Sequence, residues 1–424
     1  MSNSPASIAV WFINEFFWPD VCASSAVLTD HLPRIQRLRP HWRLTVLTGD
    51  RAWDHPDVRW PVRERWNSID ILRVPRPAVR RSLWGRGRGF AAFHRGVSRA
   101  AAGLSRPDAI VGSTAPPLGG RLGARLARGV GCPHIYKVLD LYPDCAEALG
   151  VIGTGGISAW GWRRIDTHAM RRSAAVVAIS SGIARRIERT RGIGGRLRTI
   201  FDGYDPLRVR FVPRERNSFA REAGVADRFI VQYAGNMGRS HPLDAILDAA
   251  HLLAGDPRFL FQFIGVGPGR DLVEAAIRAA APRSERPAIE VRDYEPAERV
   301  AEVLSAADVA LISQAEGMAE LSLPYKFYGI LAAARPFVYV GPEESEIVAL
   351  CRERGCGSWV RTGDGAGLAN ELRRLADDGD ARDRMGRAGR TLLEERFSSE
   401  LAAQEWVDLI ELVTTESTTR RDNE

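Results

Sequence analysis

Lysine is almost absent from this 424-residue chain: of 59 basic residues, 57 are arginine and only Lys137 and Lys326 are lysine. Cationic positions are thus filled by guanidinium almost by default, and a retained primary ammonium marks a position where a compact point charge does something a planar fork does not. Long apolar runs are also missing. The best, AAVVAIS (174–180) and DVALIS (308–313), are strand-sized, far short of the roughly 18 residues a bilayer span needs. Cysteine is sparse: Cys22, Cys132, Cys145, Cys351 and Cys356 are scattered, odd in number and without paired metal spacing. That argues against a disulfide framework and a zinc site and points to idle or buried thiols. The opening MSNSPASIAVWFI has no basic n-region or cleavage site, so a cytoplasmic location is expected, including a peripheral one at the inner face of the cell membrane.

Acid is missing from one long segment. Between Ile71 and Pro107 there are nine arginines (73, 76, 80, 81, 86, 88, 95, 99 and 106) and no Asp or Glu, with Trp84, Phe90 and Phe93 interleaved, in a chain of net charge +7. Arg73–Arg106 therefore suits an anionic surface: phospholipid headgroups, a pyrophosphate-linked acceptor or nucleic acid. A solvated basic face is the plain alternative. Nucleic acid is disfavoured because no stacking motif accompanies the charge.

What the chain has in abundance is alternation. Short β-rich runs (8–13, 42–49, 69–74, 109–113, 134–140, 174–180 and 197–201, then 229–235, 259–265, 289–294, 308–313, 336–341 and 358–363) alternate with helical patterns, the signature of parallel sheets covered by helices on both faces. The fold class is α/β, with two Rossmann-like, doubly wound domains. A polar segment after Gly203 carrying two prolines places the boundary, giving domains 1–210 and 211–395. The end reads as a helix over 396–413 and a disordered polar tail over 414–424.

Several constellations could carry chemistry. YAGNMGRSH (233–241) and FQFIGVGPGRD (261–271) are strand, glycine turn, helix; Gly235, Asn236, Gly238, Gly265 and Gly267 would let backbone approach a phosphate, with Arg239 or His241 adding charge, or they are ordinary turns. Neither turn fits a P-loop or a dinucleotide fingerprint. In ELSLPYKFYGILAAARPFV (320–338), Leu323-Pro324 opens a helix with Lys326 in its first turn, either a diphosphate contact or a solvated lysine. In YKVLDLYPDCAEALG, Asp140 and Asp144 suit a substrate hydroxyl, acid/base work or helix N-caps. The D-x-D of DDGD (377–380) reads as a turn and not a metal site.

Taken together, AGNMG before a helix, IGVGPGRD, SAADVALI, LPYK…LAAARPFV and DLYPD…EALG resemble a bacterial family 4 glycosyltransferase of the GT-B fold, nearest to enzymes that transfer N-acetylated deoxyhexosamines such as fucosamine in O-antigen and capsule synthesis. The resemblance covers nearly the whole chain. It implies two domains facing across a cleft and a retaining, metal-independent transfer with no cofactor. The second domain would bind a nucleotide sugar, with a UDP-sugar favoured, and the first a glycan or lipid-linked acceptor; the last helix would pack back on the first domain. Lys326, Arg239 and Asp140 would be catalytic. Tyr294, Glu320, Leu323 and Pro324 would join the glycines and Asn236 on the donor side. On the acceptor side stand Asp144 with Ser24 and Ser25, in FFWPDVCASSAVLTDHL (16–32), where CASS replaces the usual glycine-rich turn. The family usually carries Glu, seven residues, Glu; here Gly329 stands at the second position. Transfer to a small natural-product scaffold, nucleotide-sugar epimerisation and non-catalytic nucleotide-sugar binding are the alternatives.

Overall fold

The computed structural model describes residues 7–20, 22–53, 57–76, 83–224, 227–279 and 288–422. By internal contact the chain divides into Met1–Asp202 with Ser399–Glu424, and Gly203–Ser398.

In the first unit the apolar runs become β1 (Ala9–Ile13), β2 (Arg43–Gly49), β4 (Ile69–Val74), β5 (Ala109–Ser113), β6 (His134–Val138), β7 (Ala175–Ala178) and β8 (Leu197–Thr199), with β3 (Arg63–Trp66) added at one edge. The order is β3-β4-β2-β1-β5-β6-β7-β8, parallel except that β3 runs antiparallel to β4. The helices are α1 (Ala23–Leu38), α2 (Leu83–Ala101), α3 (Gly119–Val130), α4 (Asp144–Ala148), α5 (Ile157–Arg172) and α6 (Ser181–Arg191). Central strands such as β1 and β5 are buried along their whole length, which is why they read as continuous apolar runs and not as alternation. One face packs Trp11, Ile13 and Leu47 against Phe93 and Val97 of α2 and Leu122 of α3.

The second unit holds α7 (Ser218–Glu222), β9 (Phe229–Ala234), α8 (Asp244–Leu252), β10 (Phe259–Ile264), α9 (Gly269–Ala279), β11 (Ile289–Arg292), α10 (Val300–Ser305), β12 (Val309–Ser313), α11 (Lys326–Ala332), β13 (Phe337–Val340), α12 (Glu346–Arg354), β14 (Ser358–Val360), α13 (Gly365–Asp377) and α14 (Gly379–Arg396). Its all-parallel sheet has the order β11-β10-β9-β12-β13-β14. The DDGD stretch is a helix junction: Asp378 caps α14 by accepting from the Ala381 N–H at 2.8 Å, and Asp377 pairs with Arg258.

Both sheets reverse their winding direction once, between β1 and β5 in the first unit and between β9 and β12 in the second. At such a point the loops leaving neighbouring strands diverge to opposite faces and leave a crevice at the carboxyl edge. The sites below lie at these two places.

Two expectations about boundaries need correction. The break at 210/211 falls inside the second unit. Asp202 is held in the first unit by Lys137 (2.6 Å) and by His31 Nε2 on its carbonyl (2.6 Å), whereas the Tyr204 N–H already donates to Phe397 O. The tail over 414–424 is not disordered up to Asp422: one helix, α15 (Ser399–Asp422), runs through it. No Pro or Gly interrupts TTESTTRRD, and the Thr418 and Thr419 hydroxyls donate to the carbonyls of Thr414 and Thr415 one turn back. Along its first part α15 belongs to the first unit, where Trp406, Val407, Ile410 and Val413 share a core with Leu28, Leu32 and Ile35 of α1. Arg34–Glu400 and Arg39–Glu411 pairs flank that seam, but half-exposed pairs add little and the apolar contact holds the helix.

Trp406→Ala is expected to destabilise the first unit by about 3–5 kcal/mol, the cost of emptying a buried aromatic site. Urea unfolding followed by far-UV circular dichroism checks it.

Candidate active site

At the crevice of the second sheet, Lys326 is the first residue of α11, and its Nζ is fully enclosed with no hydrogen-bond partner among the described residues. It lies 3.4 Å from the centroid of the Tyr233 ring, whose π face favours a cation. Burial alone drives its pKa well below that of an ordinary lysine. Gly235 makes this approach feasible: φ is +130° there, and a Cβ would stand 3.1 Å from Lys326 Cε and 3.3 Å from Nζ. The positive φ favours glycine just after β9, and its missing Cβ leaves the lysine end room to approach.

Two glycine turns interlock beside it. Met237 N–H donates to Val266 O and Gly269 N–H to Met237 O, both at 2.8 Å. A Cβ at Gly265 (φ +137°) would lie 2.3 Å from Gly235 O. Gly235, Asn236 and Gly238 of the first turn and Gly265 and Gly267 of the second are thus in one place, with the exposed ring of Tyr294 against Gly265. Arg239 is exposed and makes no ion pair among the described residues. His241 does not add charge, contrary to expectation: its Nδ1 donates to Ser313 O at 2.7 Å, and burial, reinforced by Lys326, lowers its pKa to about 4.

The loop bearing Glu320, Leu323 and Pro324 is organised by a residue the sequence did not flag. Gln314 follows β12, is fully buried, and donates from Nε2 to Met318 O and Ser322 O while its Oε1 accepts from Tyr339 OH at 2.6 Å. Ala315 N–H donates to Ser240 O, joining this loop to the first glycine turn. Glu320 and Leu323 are half-buried and Pro324 is buried. Gly329 lies in the packed interior, where a Cβ would meet Leu304 Cδ1 at 3.3 Å.

The first unit's crevice contains the other lysine. Lys137 lines a narrow cavity of ≈ 10 Å³ with Asn14, Ser24 and Ser113, room for about one water. Asp140, just beyond β6, has its carboxyl pKa raised to about 6 by burial and then by the charge of Asp202. Ser24 reaches the cavity, whereas Ser25 is buried and donates its hydroxyl to Asp20 O. Asp144 is a correction: it accepts from Arg163 at 3.4 Å and Arg186 at 3.0 Å, and also pairs with the buried Arg191. Both its oxygens are engaged and it is 4 % exposed, so it anchors α4 to α5 and α6 and is not available to an acceptor. Within the basic segment, Arg73 and Arg76 are likewise buried, paired with Glu64 and Glu15. Arg80 and Arg81 lie outside the described residues. No described group of three His, Cys, Asp or Glu side chains has the geometry to hold a metal ion.

Residues 33–203 match the family described as a glycosyl transferase 4-like domain. The chain is 25% identical over 379 residues, 88% of its length and 91% of the relative's, to a Pseudomonas aeruginosa protein described as "Probable glycosyltransferase WbjE". Its fold is similar to that of a sucrose-phosphate synthase from Thermosynechococcus elongatus, at 15% identity and a TM-score of 0.79, covering 96% of this chain and all of that one. It is similar also to Anabaena HepE, solved in complex with UDP and glucose, at 14% identity and a TM-score of 0.70, covering 95% and 99% of the two chains. With two Rossmann-like sheets, glycine turns at the crevice of the second and a glycosyl transferase 4-like domain over residues 33–203, this chain has the GT-B fold of the glycosyltransferases it resembles.

Proposed function

We propose that the enzyme moves a sugar, with retention of configuration and without a metal, from a UDP-sugar to a glycan or lipid-linked acceptor in cell-surface polysaccharide synthesis. The observation that carries the donor side is the enclosed amine of Lys326, without a hydrogen-bond partner among the described residues, between Tyr233 and Gly235. A buried cation without an acceptor is costly, and an anionic oxygen is the ligand that relieves it. A diphosphate supplies such oxygens, the glycine turns leave backbone within its reach, and negative charge developing on the leaving diphosphate would be stabilised by the fixed cation. Arg239, exposed at the rim, adds a second cation from solvent. The choice of UDP draws on HepE, whose structure holds UDP and glucose. Retention, metal independence and the polysaccharide setting draw on the resemblance of the motifs.

In the first unit we assign Asp140 to the acceptor hydroxyl. Only when ionised can its carboxylate act as an acceptor on both oxygens and draw on the hydroxyl proton, and its raised pKa of about 6 puts that change near neutrality. The second reading, a protein that binds nucleotide sugar with little or no transfer, is favoured by Gly329, since no side chain at that position can supply the family's second carboxylate.

Calorimetry against UDP, GDP, dTDP and ADP, with and without EDTA, tests the donor. UDP is expected to bind with equal affinity in EDTA, and Lys326→Ala to weaken it by about 1–3 kcal/mol, the range for hydrogen bonds to charged groups. Equal affinity in a folded Lys326→Ala protein would remove the lysine from the site, and no nucleotide binding at all would favour a scaffold. For the acceptor, kcat/KM is expected to rise as pH passes through about 6, where Asp140 ionises, and Asp140→Asn to abolish that limb. A pH profile with the same limb in the variant would assign it elsewhere.

A further inference from the structure

We propose that α5, α3 and α2 together form the surface by which this enzyme sits on an anionic phospholipid membrane, with Ile157 and Trp160 entering the headgroup region. Ile157 is 89% exposed and Trp160 60% exposed, consecutive positions on the outward stripe of α5. Large apolar side chains this open, one turn apart on one helix, form a protrusion with no covering element among the described residues. Tryptophan is favoured at a membrane–water interface because its ring is apolar and its N–H polar.

Charge decides the partner. Further along α5 the exposed positions are Arg164, Ile165, His168, Arg171 and Arg172, and the Arg164 guanidinium lies 5.7 Å from the Trp160 ring centroid. α3 packs beside α5 and α2 beside α3. α3 shows Arg121, Arg125 and Arg128 to solvent, spaced to share one stripe. α2 shows Arg88, Arg95 and Arg99 in the same manner. The only acid in the three helices is Asp166, which is buried and accepts from Tyr136 OH. Among the described residues the exposed arginines of these three helices make no ion pair, while Arg163 is held by Asp144 and Glu147, and the most open apolar groups stand at the start of α5, the division of labour of an interfacial anchor. The expected basic segment contributes only part of this surface, because Arg73 and Arg76 are buried and most of the exposed charge comes from helices beyond it.

The topology places the anchor usefully. α5 begins after the loop that follows Asp140 and returns toward the start of β7, so Ile157 and Trp160 stand at the carboxyl edge of the first sheet. Tyr142 and Trp162 stack there at 5.4 Å between centroids. Membrane docking would bring a lipid-held acceptor to the edge that carries Asp140. The proposal deepens the reading of a lipid-linked acceptor and rests on it, while its test reads only membrane binding.

The test is co-flotation of the full chain with phosphatidylglycerol vesicles and with phosphatidylcholine vesicles, at low and high salt. UDP calorimetry on each variant reports folding and donor binding separately. The parent is expected to float with the anionic vesicles only, less so at high salt. Ile157→Ser with Trp160→Ser is expected to lower binding by about ten-fold or more, and Arg88, Arg95 and Arg99→Gln by about a hundred-fold, from roughly a five-fold factor per arginine. A parent that does not float, or variants that float as well as it does, would overturn the surface even with UDP binding intact. Loss of self-association in the Ile157/Trp160 variant with unchanged flotation would assign the patch to a second copy and also overturn it. Failure of UDP binding with flotation intact would instead strike the donor reading and leave the membrane surface standing.

Discussion

A buried lysine amine with no oxygen to bond is the constraint around which the crevice of the second sheet is organised. Lys326 Nζ is enclosed above the Tyr233 ring, and its close approach is to Gly235, the residue after β9, which has no side chain. Desolvation disfavours the charged form, and the aromatic face returns only part of that loss. Arginine could not substitute, since its larger fork stays protonated and needs several acceptors. In a chain that uses arginine nearly everywhere else, the second lysine, Lys137, also lies buried at a sheet crevice, but there it has Asp202 as a partner. The contrast is between a structural ion pair and a lysine with no partner among the described residues, the one we propose meets the diphosphate.

Topology explains why both lysines matter. Each sheet reverses its winding once, and each lysine belongs to a strand, or to the helix after a strand, flanking that reversal or one strand removed from it. The glycine turns, Tyr294 and the loop braced by Gln314 follow four neighbouring strands of the second sheet. Backbone, not side-chain charge, therefore lines most of the crevice we propose for the donor. His241 fits this pattern as a neutral brace on Ser313 O.

Much of this was legible in the sequence, and the failures have physical causes. The buried parallel strands announced themselves as apolar runs because helices cover both faces. β3 was missed because RERW is charged, short and paired antiparallel at an edge, where neither burial nor alternation is required. Lys326 stood out by rarity. Asp144 looked available because its partners Arg163, Arg186 and Arg191 come from helices later in the chain, and nothing local reveals that they converge. Gln314 was invisible for the same reason: its partners Tyr339 and Ser322 reach it only through the fold. The tail after Val413 was read from composition, which says little where helix-compatible residues simply extend an anchored helix.

The most direct test of the central claim is proton counting during UDP binding. Calorimetry at about pH 8.5, above the second phosphate ionisation, in two buffers of different ionisation enthalpy gives the protons taken up per UDP bound. A lysine whose pKa is depressed by burial and restored by a diphosphate takes up a proton on binding, so the parent should show net uptake and Lys326→Met none. Identical proton counts in the two proteins, with UDP bound by both, would contradict the claim that Lys326 is held for the diphosphate.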